Sequence, residues 1–148
     1  MAAADRDPEP PVIEELRAEP QKYNFYQLVR LLEMLAPEAT PVGEGADPSQ
    51  EPVRFRSSFS LAFPASDVVD LQPPAGAAEA GEAAAGTPEV TVSMLGLGGA
   101  QGPLPHALTE WVLERIAAKD FALRDFLDIF HHRLVSLLYR VRRHSRLG

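Results

Sequence analysis

The chain has 148 residues, of which 45% are hydrophobic, and a formal net charge of −7. This length suits one modest domain, and a domain of this size leaves a large share of its surface in water. The absence of cysteine excludes disulfides and thiolate metal sites. Because no apolar run approaches the ~18 residues of a membrane span and no signal peptide pattern opens the chain, we predict a cytoplasmic protein.

Three segments lack the periodicity of regular structure. Residues 1–11 and 37–52 mix acidic side chains with proline, and residues 73–88 are largely alanine and glycine. Such compositions bury too little apolar surface to offset the entropy lost on ordering. We predict a disordered N-terminus and flexible loops at 37–52 and 73–88, within a single domain spanning 12–148.

The first predicted long helix covers residues 23–35. Its apolar side chains recur at alternating spacings of three and four, which places them on one helical face. They are Phe25, Leu28, Leu32 and Leu35. Asn24 is the predicted N-cap, Pro37 ends the helix, and a short helical turn is predicted before it at 12–17.

Short strands are predicted next. Residues 53–57 alternate apolar and basic side chains, residues 60–63 continue the pattern beyond a bend, and residues 67–72 and 89–95 are rich in branched residues. They predict a small antiparallel sheet of short strands.

A turn rich in glycine and proline follows the last strand. Its defining residues are Gly96, Gly98, Gly102, Pro103 and Pro105. Nucleotide-binding loops occupy this position between a strand and a helix, but Gln101 stands where their spacing requires glycine and no Gly-Lys-Ser/Thr follows. We interpret the segment as a rigid structural turn.

Two helices are predicted after the turn. One begins near Pro105, with Leu108, Trp111, Val112 and Ile116 at helical spacing. The other begins after Asp120 as N-cap and runs to about His144, roughly 36 Å at 1.5 Å per residue. Its apolar face is predicted to consist of Leu123, Phe126, Leu127, Phe130, Leu134, Leu137, Leu138 and Val141. The fold class is therefore α+β, with three to four helices including one long amphipathic helix near the C-terminus.

The polar residues of the long helix do not form a recognisable reactive site. His131 and His132 are adjacent and point about 100° apart on a helix, so they cannot bind one metal from the same turn. Asp128 and His132 have a spacing that a metal pair can use, but no third ligand is evident, and we interpret them as a surface pair. No nucleophile and base are suitably placed. We predict no metal, no cofactor and no enzymatic activity.

The long helix ends in a strongly basic segment with no acid after Asp128. Its arginines are Arg133, Arg140, Arg142, Arg143 and Arg146. Such a cluster can bind nucleic acid, but the chain as a whole is acidic and no aromatic residues interleave for base stacking. Contact with an acidic partner protein is the preferred interpretation, and a basic nucleic-acid-binding helix or a generic adaptor domain is the alternative.

Four blocks in order resemble the TssG family, also called ImpH, of type VI secretion. They are YNFYQLVRLLE (23–33), VRFRSSFSLAFPASDV (53–68), VTVSMLGLGGAQGPLPHALTE (90–110) and DFALRDFLDIFHHRLVSLLYR (120–140). The chain departs from the family at His131, where asparagine usually precedes the His-Arg pair. Since similar proteins are commonly about twice as long, we expect this chain to be an N-terminal portion.

The resemblance implies a structural role. TssG-like subunits assemble with TssF into baseplate wedges, which meet TssK and TssE around the spike hub, beneath the inner-membrane complex, for contractile effector delivery. No cofactor accompanies that role. We assign partner binding as a hypothesis to two groups of side chains: Phe25, Leu28, Leu32 and Leu35 on the first helix, and Arg133, Leu137, Arg140, Arg142 and Arg143 on the last.

Overall fold

The computed structural model of the chain describes residues 12–74, 86–100 and 102–145. Within them lie four α-helices: α1 Val12–Ala18, α2 Phe25–Leu35, α3 His106–Ala117 and α4 Ala122–Ser145. The three strands are β1 Arg54–Ser57, β2 Val68–Gln72 and β3 Glu89–Val92. Single 3-10 turns lie at Pro20–Lys22 and Pro48–Gln50. The predicted disordered segment 1–11 and most of the predicted loop 73–88 lie outside the described residues.

The α+β class and the long final helix are confirmed, but the sheet is mixed rather than antiparallel. Its strand order is β1-β3-β2, with β2 antiparallel and β1 parallel to the central β3. Parallel neighbours cannot be joined by a tight hairpin. The chain therefore leaves β1, runs back along the opposite edge as β2, and returns through the middle as β3.

The predicted continuation of β1 through residues 60–63 is wrong, because a turn takes its place. The Ser60 hydroxyl oxygen accepts a hydrogen bond from the Ala62 N–H at 3.2 Å. The Ser60 carbonyl accepts another from the Ala100 N–H at 3.0 Å. Serine side chains compete with strand pairing in this way, which alternation of apolar residues does not reveal.

Helix α2 begins as predicted, with the Asn24 side chain accepting from the Tyr26 N–H at 3.0 Å. Its inner face contributes Phe25, Leu28, Val29 and Leu32 to the core, whereas Leu35 at its end is exposed. The core consists of Leu16, Phe25, Leu28, Val29, Leu32, Val42, Val53, Phe55, Val68, Leu71, Val90, Val92, Val135 and Tyr139. Aromatic rings meet at its centre, where the Phe25 ring lies 5.6 Å from that of Phe55.

The segment 37–52 differs from the flexible loop that its composition predicts. Val42 is fully buried, and its N–H donates to Glu33 Oε1 at 3.0 Å. The Gly43 N–H donates to Glu51 Oε1 at 3.2 Å, and the Thr40 N–H to the Gln50 carbonyl at 2.8 Å. One apolar side chain and two carboxylates therefore hold the segment in place. The overall composition of the segment does not show these individual contacts.

Tyr139 connects α4 to the end of α2. Its hydroxyl donates to Glu33 Oε2 at 2.8 Å, and its ring packs edge-on against Phe25. Burial, followed by the hydrogen bond to Glu33, raises the pKa of Tyr139 well above its usual range. The phenol therefore stays protonated in the folded chain at pH values where it ionises in the unfolded chain.

We expect Tyr139→Phe to lower the free energy of unfolding by about 1.5 kcal/mol at neutral pH, because a hydrogen bond to a charged group is lost. Since the Tyr139 pKa is raised in the folded chain, this contribution is complete below a pH of about 10 and decreases above it. Urea denaturation at several pH values measures both effects. Tyr26→Phe is the control, and equal losses in the two variants would contradict the assignment.

Candidate functional site

Helix α4 packs on the sheet with a largely polar face. Its buried residues are Asp128, His131, His132, Val135, Ser136 and Tyr139. The predicted apolar face of α4 lies mostly on the outside. The predicted surface pair of Asp128 and His132 is instead buried, each side chain at most 4% exposed. The surface-pair prediction is therefore wrong, and its cause lies in the neighbouring strand.

That cause is the open edge of β1. Alternate N–H groups of β1 bond to the β3 side, as Arg54 and Ser58 do with the carbonyls of Pro88 and Val92. The N–H of Phe55 points the other way and donates to His132 Nδ1 at 3.2 Å. The N–H of Ser57 donates to Asp128 Oδ1, also at 3.2 Å. Side chains of α4 thus replace the missing neighbouring strand, because buried backbone donors require acceptors.

His131 extends this network to the glycine-rich turn. Its Nε2 accepts from the Leu97 N–H at 2.8 Å, and its Nδ1 lies 3.0 Å from Asp128 Oδ1. Because Nε2 accepts, the ring proton is assigned to Nδ1, which donates to the carboxylate. The imidazole therefore joins the turn to the residue that holds β1.

Glu51 completes the network on the other side. Its Oε2 lies 3.4 Å from His132 Nε2 and accepts from the Ser136 hydroxyl, also at 3.4 Å. Its Oε1 accepts from the Gly43 N–H. We name these buried side chains the polar seam: Glu51, Asp128, His131, His132 and Ser136. The polar seam binds α4 to β1, to the glycine-rich turn and to the 41–45 loop.

The glycine-rich turn is closely packed against its surroundings. The Gly99 N–H donates to Thr109 Oγ1 at 3.2 Å, and the Leu104 N–H to the Leu97 carbonyl at 2.9 Å. A Cβ atom added at Gly102 would lie 2.5 Å from the Leu97 carbonyl oxygen. Gly99 has a φ of 96°, a region that favours glycine. Backbone atoms therefore leave no room for a side chain at Gly102, whereas at Gly96 and Gly98 the atoms nearest an added Cβ belong to the side chains of Ser57 and Phe59. Pro103 and Pro105 lead from the turn into α3.

The opposite face of α4 carries a row of exposed apolar side chains. We name it the outer row: Phe126, Phe130, Leu134, Leu137 and Val141, each 38 to 67% exposed. The rings of Phe126 and Phe130 pack on each other with centroids 5.3 Å apart. A row of large apolar side chains along four turns of one helix is the kind of surface that binds another protein.

The basic end of α4 contacts the protein's own 41–45 loop. Arg133 donates to the Gly45 carbonyl at 3.3 Å and Arg140 to the Gly43 carbonyl at 3.2 Å. Arg143 pairs with Glu44 and with Glu33. The Arg142 guanidinium lies 4.7 Å from the centroid of the Tyr26 ring. Four arginines predicted to contact a partner thus have intramolecular contacts, and Arg146 lies outside the described residues.

A cleft of about 380 Å³ lies beside the glycine-rich turn, between the end of β1 and the 60–66 segment. Its described lining includes Ser58, Ser60, Phe63 and Ser93 but no ionisable side chain. Within the described residues, no group of three or more histidines and acids is arranged to hold a metal ion. The described lining of the cleft therefore offers hydroxyl and apolar contacts.

A family model described as type VI secretion, TssG, matches residues 19–148. The chain belongs to the TssG family. No curated protein and no solved structure matched it. The match confirms the predicted family assignment. TssG is a family of structural components of type VI secretion. In the described part of this TssG chain, no helix is long and apolar enough to cross a membrane.

The residues assigned to partner binding divide into two groups. Phe25, Leu28 and Leu32 are buried in the core of the TssG chain itself, whereas Leu35 and Leu137 are exposed. Periodicity of the sequence identified the apolar face of α4 but did not show which face of the helix packs on the sheet. The signal for the packed face is a second series on the same helix, in which Asp128, His131 or His132, Val135 and Tyr139 also recur at helical spacing.

We expect Asp128→Ala to lower the free energy of unfolding by about 3 kcal/mol, because the buried Ser57 N–H and the His131 ring lose their acceptor. Asp128→Asn retains an acceptor oxygen and should lose less. Asp125→Ala, an exposed acid one turn earlier, should change stability by no more than about 0.5 kcal/mol. Chemical denaturation of the three variants measures this, and equal losses for Asp128→Ala and Asp125→Ala would refute the role of the polar seam.

We expect Gly102→Ala to destabilise the chain by about 2 kcal/mol, because the added methyl group meets backbone atoms of Leu97 and Gly98 that cannot rotate away. The control is Gly45→Ala, whose nearest neighbour is a side-chain methyl of Thr40. Thermal melting compares the two. A Gly102→Ala protein as stable as the parent would show that the turn is not rigid.

Proposed function

We propose that this TssG chain is a scaffold subunit of the type VI secretion baseplate wedge, in the cytoplasm beneath the inner-membrane complex. In this role it binds TssF and provides a docking surface for TssK and TssE around the spike hub, in support of contractile effector delivery. Membership of the TssG family supports an assembly role. The proposal includes no reaction and no cofactor.

The observation that carries the proposal is the outer row. Burying a large apolar side chain typically stabilises a contact by about 1.5–3 kcal/mol, and five such side chains lie side by side on α4. They are not needed to close the core, because the opposite face of the helix does so. The polar seam also fixes the rotation of α4, so the outer row is held in one orientation.

We propose fewer partner contacts than the sequence suggests. Phe25, Leu28 and Leu32 contribute to the scaffold by supporting α4 from inside, through contacts such as that of Phe25 with Tyr139. Leu137, in the outer row, remains a proposed contact, and Leu35 is a second exposed candidate on α2. Arg133 and Arg140 lie beside the outer row, where their remaining guanidinium donors can also reach a partner.

Co-expression and pull-down with the TssF and TssK homologues of the same secretion system tests the proposal. The parent chain should retain TssF, and the triple variant Phe130→Gln/Leu134→Gln/Val141→Gln should retain at least tenfold less, because three apolar contacts are lost. The amount of each partner retained is measured on the same resin at matched bait loading.

The matched control is Met34→Gln/Phe63→Gln, which makes the same kind of change at exposed apolar positions on α2 and in the 60–66 segment. It should retain TssF as the parent does. Circular dichroism melts of all three proteins establish that the variants are folded. If the parent retains neither TssF nor TssK, the scaffold proposal is wrong.

A further inference from the structure

The outer row has the spacing of a coiled-coil seam. Phe130, Leu134, Leu137 and Val141 follow one another at intervals of four, three and four, and the half-buried Leu127 lies three residues before Phe130. An alternation of three and four places these side chains in a nearly straight stripe, into which the side chains of a second helix can pack. The shape of the stripe therefore favours a helical occupant over an extended strand or a flat surface.

The charges beside this stripe select the occupant further. Arg133 and Arg140 are one heptad apart and lie along the same edge of the stripe. Each has a hydrogen bond to one loop carbonyl, which leaves other guanidinium donors available. Charged residues that flank a coiled-coil seam determine which partner is preferred. Two arginines on this edge therefore favour acidic side chains on the facing helix.

We propose that the outer row of α4 binds an amphipathic helix of another protein, which has apolar residues at three-four spacing and Glu or Asp opposite Arg133 and Arg140. The inference rests on the proposed scaffold role to the extent that the partner helix belongs to another baseplate subunit. It names the chemistry by which that subunit is selected. The apolar contacts supply the affinity, and the arginines supply the orientation and the preference.

A second copy of the same chain fits this surface poorly. Two α4 helices packed antiparallel along the stripe would bring Arg133 of one copy near Arg140 of the other, and like charges at such positions are repulsive. In the described part of α4, no acid follows Asp128 that could relieve the repulsion. The edge of α4 that contains the buried His131 is also covered by the protein's own turn, whereas on the other edge Arg133 is exposed and Arg140 is half-buried.

Two synthetic three-heptad peptides test the proposal with the full 148-residue chain. Both have leucine at the two seam positions of every heptad; one has glutamate at the flanking positions and the other lysine, so each repels itself. Fluorescence anisotropy at low salt should show at least tenfold tighter binding of the glutamate peptide. Phe130→Gln/Leu134→Gln should weaken that binding at least tenfold, and Met34→Gln should leave it unchanged.

Arg133→Gln/Arg140→Gln removes both charges while keeping a polar side chain at each position, and a circular dichroism melt checks that the variant is folded without the arginine bonds to the Gly43 and Gly45 carbonyls. It should weaken binding of the glutamate peptide about fivefold and reduce the preference over the lysine peptide. Equal binding of the two peptides by the parent chain, or no binding of either, would overturn the proposal. So would a dimer of the parent chain in analytical ultracentrifugation that Phe130→Gln/Leu134→Gln dissociates.

The peptide experiment tests the docking inference and the pull-down tests the scaffold role, so the failure of one can be distinguished from the failure of the other. If TssF or TssK is retained equally by the parent and by the outer-row variant, and neither peptide binds, the helix-docking inference is wrong and the scaffold role stands. If the glutamate peptide binds with the expected preference but no baseplate subunit is retained, the docking inference stands and the scaffold role is wrong.

Discussion

The N–H groups of Phe55 and Ser57 face away from the sheet at its β1 edge, in a region that the rest of the chain buries. Each requires an acceptor, since an unpaired buried N–H costs about 1–3 kcal/mol. His132 and Asp128 supply these acceptors from α4 at 3.2 Å. Because two successive outward N–H groups must be met by side chains one helical turn apart, both the position of α4 along β1 and its rotation are determined.

The arrangement of the remaining groups follows from that rotation. Once Asp128 and His132 face the sheet, Val135 and Tyr139 follow on the same side and reach the core, where Tyr139 meets Phe25 and Glu33. The helical repeat then places Phe130, Leu134, Leu137 and Val141 on the outside. The exposure of the outer row is therefore a geometric consequence of how the strand edge is satisfied.

Much of the fold could be predicted from the sequence, because the helices are strongly periodic and well delimited. Asn24 caps α2 as expected, and Asp120 accepts from the Ala122 N–H at the start of α4, although one position earlier than an N-cap. Which face of α4 packs on the sheet could not be predicted, since hydrophobic periodicity does not distinguish a face buried within the chain from one that binds a partner. On α4 the face that packs on the sheet is the one that supplies hydrogen-bond acceptors to β1.

The sheet and the loops show a second limit of sequence reasoning. Strands of four or five residues contain no signal for parallel or antiparallel pairing, so the parallel neighbour of β3 could be identified only from the structure. The 41–45 loop is held by Glu33, Glu51 and α4. Glu33 and Glu51 lie nine and eight residues from the N–H groups that they bind, and the arginines of α4 lie at least 88 residues from the carbonyls that they contact, so the composition of the loop does not reveal these contacts.

Two arginines of α4 lie between the outer row and the 41–45 loop. Arg133 and Arg140 approach the carbonyls of Gly45 and Gly43, and Gly43 also packs against the Ser136 carbonyl, where an added Cβ would lie at 2.7 Å. The loop and the arginine edge of the outer row therefore form one surface. An acidic group bound by either guanidinium would share the side chain that contacts the loop. Under the proposed helix docking, occupation of the outer row would therefore affect the 41–45 loop through Arg133 and Arg140.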